Sequence, residues 1–527
     1  MKLDRILFRF FERFCKPSWL SVIMIGLLSF CGSASVSLIR DYPAPYIHDE
    51  FAYIFAADTF ASGRVTNPTH PMWKHFETFH VIQKPTYCAK YPPGQGLFLA
   101  LGQLVGGHPI VGVWISVGLM CAAICWMLEA WVPQKWALFG SFLATLQIGI
   151  VGYWSTSYWG GAVAALGGAL VYGSLRRILK KPKYLEAITL GLGLAILVNS
   201  RPFEGLVISL PAAGILLYAF IRRDPISKKE MIRIVALPNF IFISVVSVLM
   251  GYYNWRCTGK VTVMPYMVHE KTYSIAPMFI WQKPNAVPTY RHKEIEKFHK
   301  EWQLNWYLAS KKPLWFINRA NYFVQTIRGK LLGWGFLFVL ITLPSIMCNR
   351  WMFFATTSIL LTCTTIFLTP YYLVHYIAPM VSLLYALMTQ GLRLMGLFRI
   401  RNREVGRHLV NVIVIICVIV AAKRVVAHLM DEPQNFAKQR SQVIEGLEAK
   451  DGNQLVIVRY GPNHDVLLEW VYNRADINAA KIVWARDMGY KSNQELIQYF
   501  YDRTVWLLEV DDDNSNLQLI PYKIYND

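Results

Sequence analysis

Apolar residues in this chain come in runs of about 17 to 25, the length a helix needs to cross the roughly 30 Å of a bilayer's hydrocarbon. Such runs lie near 18–39, 108–131, 135–152, 158–177, 184–200, 204–221, 233–253, 331–347, 352–369, 372–392 and 408–427, which predicts eleven transmembrane helices. The pattern breaks in three places: residues 40–107, residues 254–330, and everything after about 428. In the last of these, Leu455–Arg459, Lys481–Ala485 and Thr504–Val510 read as short buried strands, alternating with helical stretches at 464–473 and 493–502. Strands alternating with helices predict a small α/β domain with a largely parallel sheet. Residues 431–450 read as a polar helix or linker. The expected architecture is an α-helical polytopic membrane domain, 1–428, carrying the loops 40–107 and 254–330, followed by a small C-terminal α/β soluble domain, 429–527.

Composition agrees with that class. The chain is 54% hydrophobic and 16% charged, with mean hydropathy +0.31, against about 25% charged for soluble proteins. The first apolar run follows a basic start (Lys2, Arg5, Arg9, Arg13, Lys16), as a signal peptide would. It is long and lacks a clear small-residue cleavage site, so it reads as a retained span. The net charge of +20 does not imply nucleic acid, because of where it sits: residues 429–527 hold ten Lys/Arg and sixteen Asp/Glu, while the other 428 residues carry +26 in short clusters between apolar runs. With the N-terminus cytoplasmic, the inner loops contain Arg176, Arg177, Lys180, Lys181 and Lys183, then Arg222, Arg223, Lys228, Lys229 and Arg233, then Arg393, Arg399, Arg401, Arg403 and Arg407. This is the positive-inside distribution, and it puts 40–107, 254–330 and the C-terminal domain outside. Of nine cysteines only Cys88 and Cys257 fall in outer loops, either as a disulfide between the two loops or as two unrelated thiols. There is no C-x-x-C and no glycine-rich phosphate loop.

The outer loop 40–107 carries the densest candidate chemistry. "DEFAYIFAADTFASG", from Asp49 to Gly63, has helical composition, with Phe51, Ile54, Phe55 and Phe60 able to lie on a membrane surface. Asp49 and Glu50 then either cap the helix N-terminus, where negative charge is favoured, or serve chemistry, since a carboxylate there can act as general base for an acceptor hydroxyl. The loop ends in "AKYPPGQGLFLALGQ", whose apolar segment is too brief to span and reads as interfacial or re-entrant. Lys90 at its start either binds a lipid phosphate or snorkels.

A first span, an outward "DE" pair, an amphipathic helix and a Lys-x-Pro-Pro-type element together resemble the GT-C fold glycosyltransferases, notably the protein O-mannosyltransferases and the lipid A aminoarabinose transferases. The resemblance covers residues 15–425. It implies an inverting transfer of a sugar from a polyprenyl-phosphate donor to a glycan, lipid or protein acceptor at the outer face of a bacterial cytoplasmic membrane. It carries the role of base to Asp49 and a helper role to Glu50, which orients Asp49, a metal or the acceptor. Here the later element reads Lys-Tyr-Pro-Pro, with Lys90 one position further from the prolines than in the aminoarabinose transferases.

Within the resemblance, Arg201 in "NSRPFEG" stands where related enzymes carry a base before Pro, and a guanidinium there suits a departing phosphate; the plain alternative is a pair with Glu204 at i+3. "TPYYLVHYIAP" places His375 and Tyr376 like the element near the donor phosphate, while an aromatic belt accounts for the tyrosines alone. Trp154, Tyr158 and Trp159 are belt residues or a platform for a sugar. His269, Glu270, Arg291 and His292 in the loop 254–330 line an acceptor pocket or hold a divalent ion. His269-Glu270 opens like H-E-x-x-H, but Tyr273 occupies the second histidine's place, and metal dependence stays open because relatives differ.

Two other classes compete. A transporter or flippase of lipid-linked sugars predicts ionisable residues in mid-span and broken helices, whereas the charges here cluster at span ends and in loops. A non-catalytic assembly factor that binds a partner through its acidic tail predicts that Asp49 and Glu50 are dispensable.

Overall fold

The computed structural model describes residues 18–401, 403–432, 435–511 and 517–523; the basic start lies outside the described residues. The chain divides into two compact units, one built from residues up to Tyr42, Ile110–Leu249 and Ser310–Asp431, the other from Pro43–Pro109, Met250–Ala309 and Glu432 onward.

The first unit is helical. Eight helices of the described residues are long and apolar enough to cross a membrane: Ser18–Arg40, Pro109–Trp131, Gly161–Lys180, Pro202–Ile221, Pro225–Thr258, Arg350–Leu368, Val374–Gly396 and Val405–Met430. This is a multi-pass membrane protein. Val405–Met430 shows why: Val412, Ile415, Ile416 and Ile419 are exposed along it, an apolar surface that only a lipid environment satisfies.

All eleven apolar runs overlap helices: eight are the long helices above, Tyr184–Ser200 stands at the lower length limit with 17 residues, and two are broken. The run 135–152 forms Gln134–Ala144 and a π turn over Thr145–Gly149, then unwinds, because the Ser155 hydroxyl takes over the local hydrogen bonding, donating to the Ile150 carbonyl at 3.0 Å and accepting from the Gly152 N–H at 2.7 Å. The run 331–347 is the second limb of a broken pair, Pro313–Leu332 and Gly335–Met347, bent by 108°. The break sits at Gly333, whose φ of 56° and ψ of −139° belong to a region essentially reserved for glycine.

The second unit combines the segments Pro43–Pro109 and Met250–Ala309 with the tail. Its sheet has the order β4-β3-β5-β6, with β3 (Asn453–Tyr460) parallel to β4 (Ile482–Arg486) and β5 (Arg503–Val510), and β6 (Gln518–Pro521) antiparallel to β5. The three strands read from the sequence lie within two residues of β3, β4 and β5. Asn435–Glu448 and Tyr490–Tyr499 are helices, but the helix expected at 464–473 does not form. Trp470, Val471 and Tyr472 are buried consecutively, which a one-sided helix cannot do, and Asp465 and Glu469 side chains accept the Leu467 and Val471 N–H groups in place of helical carbonyls.

The helix His48–Ala61 differs from its expected position on a membrane surface. Phe51 stacks on Tyr472 at 4.4 Å and Phe55 lies 4.4 Å from Tyr87, both inside the hydrophobic core shared with β3 and β4. The tail supplies aromatic partners that a reading of the loop alone lacked. Pro93–Gly106 packs on this helix through Gly96, where a Cβ would meet that of Ala56 at 2.8 Å. Its outer side exposes Leu97, Leu101, Leu104 and Val105, and at about 1.5 Å per residue its 14 residues are too short to span.

Candidate active site

Asp49 and Glu50 occupy the first turn of His48–Ala61, where the helix N-terminus favours negative charge. They do different things there. The N-cap Ile47 has no capping oxygen, and Glu50, buried, reaches back past it to accept the Tyr46 N–H at 3.0 Å. Asp49 points elsewhere: its Oδ1 accepts the Tyr91 hydroxyl in a short hydrogen bond, and its Oδ2 lies 3.7 Å from His80 Nε2.

A two-residue ladder brings these groups together. β1 (Val81–Ile82) pairs antiparallel with β2 (Cys88–Ala89), and the Lys90 N–H donates to the His80 carbonyl at 3.0 Å. His80 has φ of 62°, a left-handed backbone that non-glycine residues seldom adopt, and such strain concentrates at functional sites. Lys90, 5% exposed, places Nζ 3.6 Å from Glu270 Oε1 and 5.4 and 5.2 Å from the rings of Tyr91 and Tyr266.

Histidines close the cluster. His80 approaches His48 at 5.5 Å and His269 at 5.8 Å between ring centroids, and His299 lies 6.1 Å from His269. His48 stacks on Phe79 at 4.1 Å. Burial holds all four neutral: His48 and His299 are pushed down to about 3 and His269 to about 4, with the Lys90 charge adding to burial for His269, while His80 is driven well below 6.5 by burial and then by Lys90. Burial alone would raise Glu270, but Lys90 and His269 hold its carboxyl down at about 2. His48 Nε2 and His80 Nδ1 have no hydrogen-bond partner among the described residues. His269 Nδ1 is 3.4 Å from Glu270 Oε1 without the alignment of a hydrogen bond.

The first unit holds a second cluster. Trp159 stacks on His375 at 4.5 Å, His375 lies 5.1 Å from Tyr376, and the Arg201 guanidinium lies 5.0 Å from the Tyr376 ring. Tyr153 continues the row, 6.3 Å from Trp159 and capped by Lys330 at 4.7 Å. Arg319 donates to the Thr369 and Pro370 carbonyls and so fixes the segment before His375.

Of the residues singled out from the sequence, Asp49, Lys90 and His269 meet in the second unit, and Arg201, His375, Tyr376 and Trp159 meet in the first. Trp154 and Tyr158 are 2% exposed, closed off by protein rather than offered as a platform. Arg291 and His292 sit on another carboxylate, Glu77, at 3.2 and 3.5 Å. His80, Tyr91, Tyr266 and Lys330 were missed. Tyr91 had a signal: it is the residue that separates Lys90 from the prolines, and it supplies the Asp49 hydrogen bond. Among the described residues no three His, Cys, Asp or Glu side chains are placed to hold a metal ion.

No family model matches the chain, and no curated protein matches it. Solved structures do. ArnT from Cupriavidus metallidurans bound to undecaprenyl phosphate is 13% identical over 92% of this chain and 93% of its own, with a TM-score of 0.52. The Archaeoglobus fulgidus oligosaccharyltransferase, tethered with an acceptor peptide containing the NVT sequon, is 9% identical over 94% of this chain and 69% of its own, with a TM-score of 0.51. Both are GT-C proteins, and this chain shares their fold.

Proposed function

We propose that this protein is a GT-C-type glycosyltransferase, passing a sugar with inversion from a polyprenyl-phosphate donor to an acceptor hydroxyl at the outer face of a bacterial cytoplasmic membrane, with its N-terminus inside and its second unit outside. The observation that carries the reading is Asp49: a carboxylate at a helix N-terminus, held by the Tyr91 hydroxyl, facing a strained and buried His80, beside the buried cation Lys90. Buried histidine nitrogens without partners are costly to keep, which supports a site kept for chemistry rather than for stability. A GT-C fold and a neighbour bound to undecaprenyl phosphate support the donor class.

In this reading Asp49 takes the proton of the acceptor hydroxyl as its oxygen attacks the anomeric carbon, and the bond from that carbon to the phosphate oxygen breaks with its electron pair going to the phosphate. A single displacement inverts the centre. Tyr91, and His80 as a neutral donor whose 3.7 Å approach tightens when substrate binds, orient the two carboxylate oxygens. Charge developing on the leaving phosphate needs a fixed cation; Lys90 is the candidate within the cluster of Asp49, and the acceptor is a glycan, lipid or protein. A transfer assay on purified protein, with a panel of polyprenyl-phosphate sugars, tests the reading: Asp49→Asn is expected to lower turnover by about 10²- to 10⁴-fold, and undiminished turnover overturns the assignment.

A further inference from the structure

Cys88 and Cys257 are 169 positions apart in the chain yet meet inside the second unit. Cys88 sits in β2, two residues before Lys90 and three before Tyr91, and Cys257 lies in the last turn of Pro225–Thr258. Both are buried, Cys88 3% and Cys257 0% exposed, and they share an apolar cluster with Ile82 and Tyr253 in which both stand as thiols. The backbone around them is already joined: the Thr86 hydroxyl donates to the Cys257 carbonyl at 2.8 Å and reaches Cys88 Sγ at 3.9 Å. One turn earlier on the same helix, the Tyr253 hydroxyl donates to the Tyr91 carbonyl at 3.4 Å.

We infer that Cys88 and Cys257 form a structural disulfide that fixes the segment bearing Lys90 and Tyr91 to the end of the Pro225–Thr258 helix. The inference rests on the outward placement proposed above, because only an oxidising compartment keeps such a bond. Both sulfurs lose a proton and the S–S bond forms, with two electrons and two protons passing to the disulfide of an oxidised thiol–disulfide oxidoreductase, which leaves as its dithiol. Since the folded unit covers both residues, exchange takes place during folding, and the finished bond is shielded from thiolates. That makes it a permanent staple rather than a redox switch. Its effect on the site is to remove freedom from Tyr91, whose hydroxyl holds Asp49, and from Lys90.

The test is peptide mass mapping of protein extracted from membranes after acid quenching, denatured and alkylated without reductant. The expected result is one species containing the Cys88 and Cys257 peptides, two hydrogens lighter than their sum. It should resist a phosphine reductant applied to the folded protein and separate once the protein is denatured. In Cys88→Ser the Cys257 peptide should instead take up the alkyl label. Alkylation of both sulfurs in the unreduced parent overturns the inference, as does reduction of the folded protein as fast as of the denatured one. A separate preparation with Lys260→Cys, at an exposed position of the same segment, is treated with a membrane-impermeant maleimide on spheroplasts. Labelling there with a reduced pair overturns the disulfide alone, whereas protection with a reduced pair overturns the outward orientation as well.

Discussion

The two polar clusters of this protein are built on different physics. In the second unit charge meets charge and hydrogen bonds: Asp49 with Tyr91, Lys90 with Glu270, each buried or half-buried and supplied by separate chain segments. In the first unit cations lie on ring faces, Arg201 over Tyr376 and Lys330 over Tyr153, with Trp159 stacked on His375. A paired, hydrogen-bonded carboxylate is fixed in position, which a proton transfer requires. A cation–π contact is less directional than a charge-assisted hydrogen bond. Under the proposed function the second cluster is tested through turnover and the first through substrate affinity.

The sharpest way to break that division is to compare Asp49→Asn with Arg201→Gln in the same transfer assay. The first is expected to lower kcat by about 10²- to 10⁴-fold with KM little changed. The second is expected to raise KM by roughly 10-fold, the loss of one charge-assisted contact of about 1.5–3 kcal/mol partly made up by its neighbours. An Arg201→Gln enzyme whose kcat collapses while KM holds would give the first unit the chemistry instead.

Lys90 tests whether the second cluster is a closed electrostatic unit. Lys90→Met leaves Glu270 charged in a largely buried site, and removing one partner of such a pair destabilises by about 3 kcal/mol. Adding Glu270→Gln should restore most of the lost stability but none of the lost activity, as read from thermal unfolding and turnover of the single and double variants. Equal melting of the two variants would show that the pair contributes little.

The histidines give a pH signature. A native His48 with a pKa of about 3 binds no proton at pH 5, while the unfolded chain, near 6.5, does. Protonation therefore favours unfolding: stability is full above about pH 7, falls as pH drops through 6.5, and stops falling from this source near pH 3. Glu270, held at about 2, adds a loss below 4.5. By pH 5 His48 accounts for about 2 kcal/mol, at about 1.4 kcal/mol per pK unit, so His48→Phe should lose that much less between pH 7 and pH 5 in thermal unfolding. Parallel pH curves for parent and variant would mean that His48 is protonated in the native state.

What was legible in the sequence was what depends on local pattern. Long apolar runs became helices, β3 to β5 appeared as buried strands, Asp49 and Lys90 were singled out in the loop between runs, and Arg201 and His375 by resemblance at the ends of runs. What was missed depends on meetings across the chain. The helix His48–Ala61 looked interfacial because Tyr472, the partner on which Phe51 stacks, lies more than 400 residues away. His80 carried no motif, since its importance comes from a backbone angle and from the ladder that sets it opposite Lys90. The stretch 464–473 was helical in composition, yet the core claims three of its residues in a row.

The smallest effect separates the two carboxylates of the opening pair. Glu50 accepts the Tyr46 N–H, a backbone donor two residues before the helix, so Glu50→Ala leaves that part-buried donor without its partner, a change worth about 1 kcal/mol. Thermal unfolding should register that loss while kcat stays within about twofold, because the Tyr91 and His80 contacts that orient Asp49 do not involve Glu50. Neighbouring helical residues point about 100° apart, so the two acids are expected to have different roles. If Glu50→Ala instead lowers kcat as far as Asp49→Asn does, with melting unchanged, the roles are reversed, and the Asp49–Tyr91 hydrogen bond is the structural one.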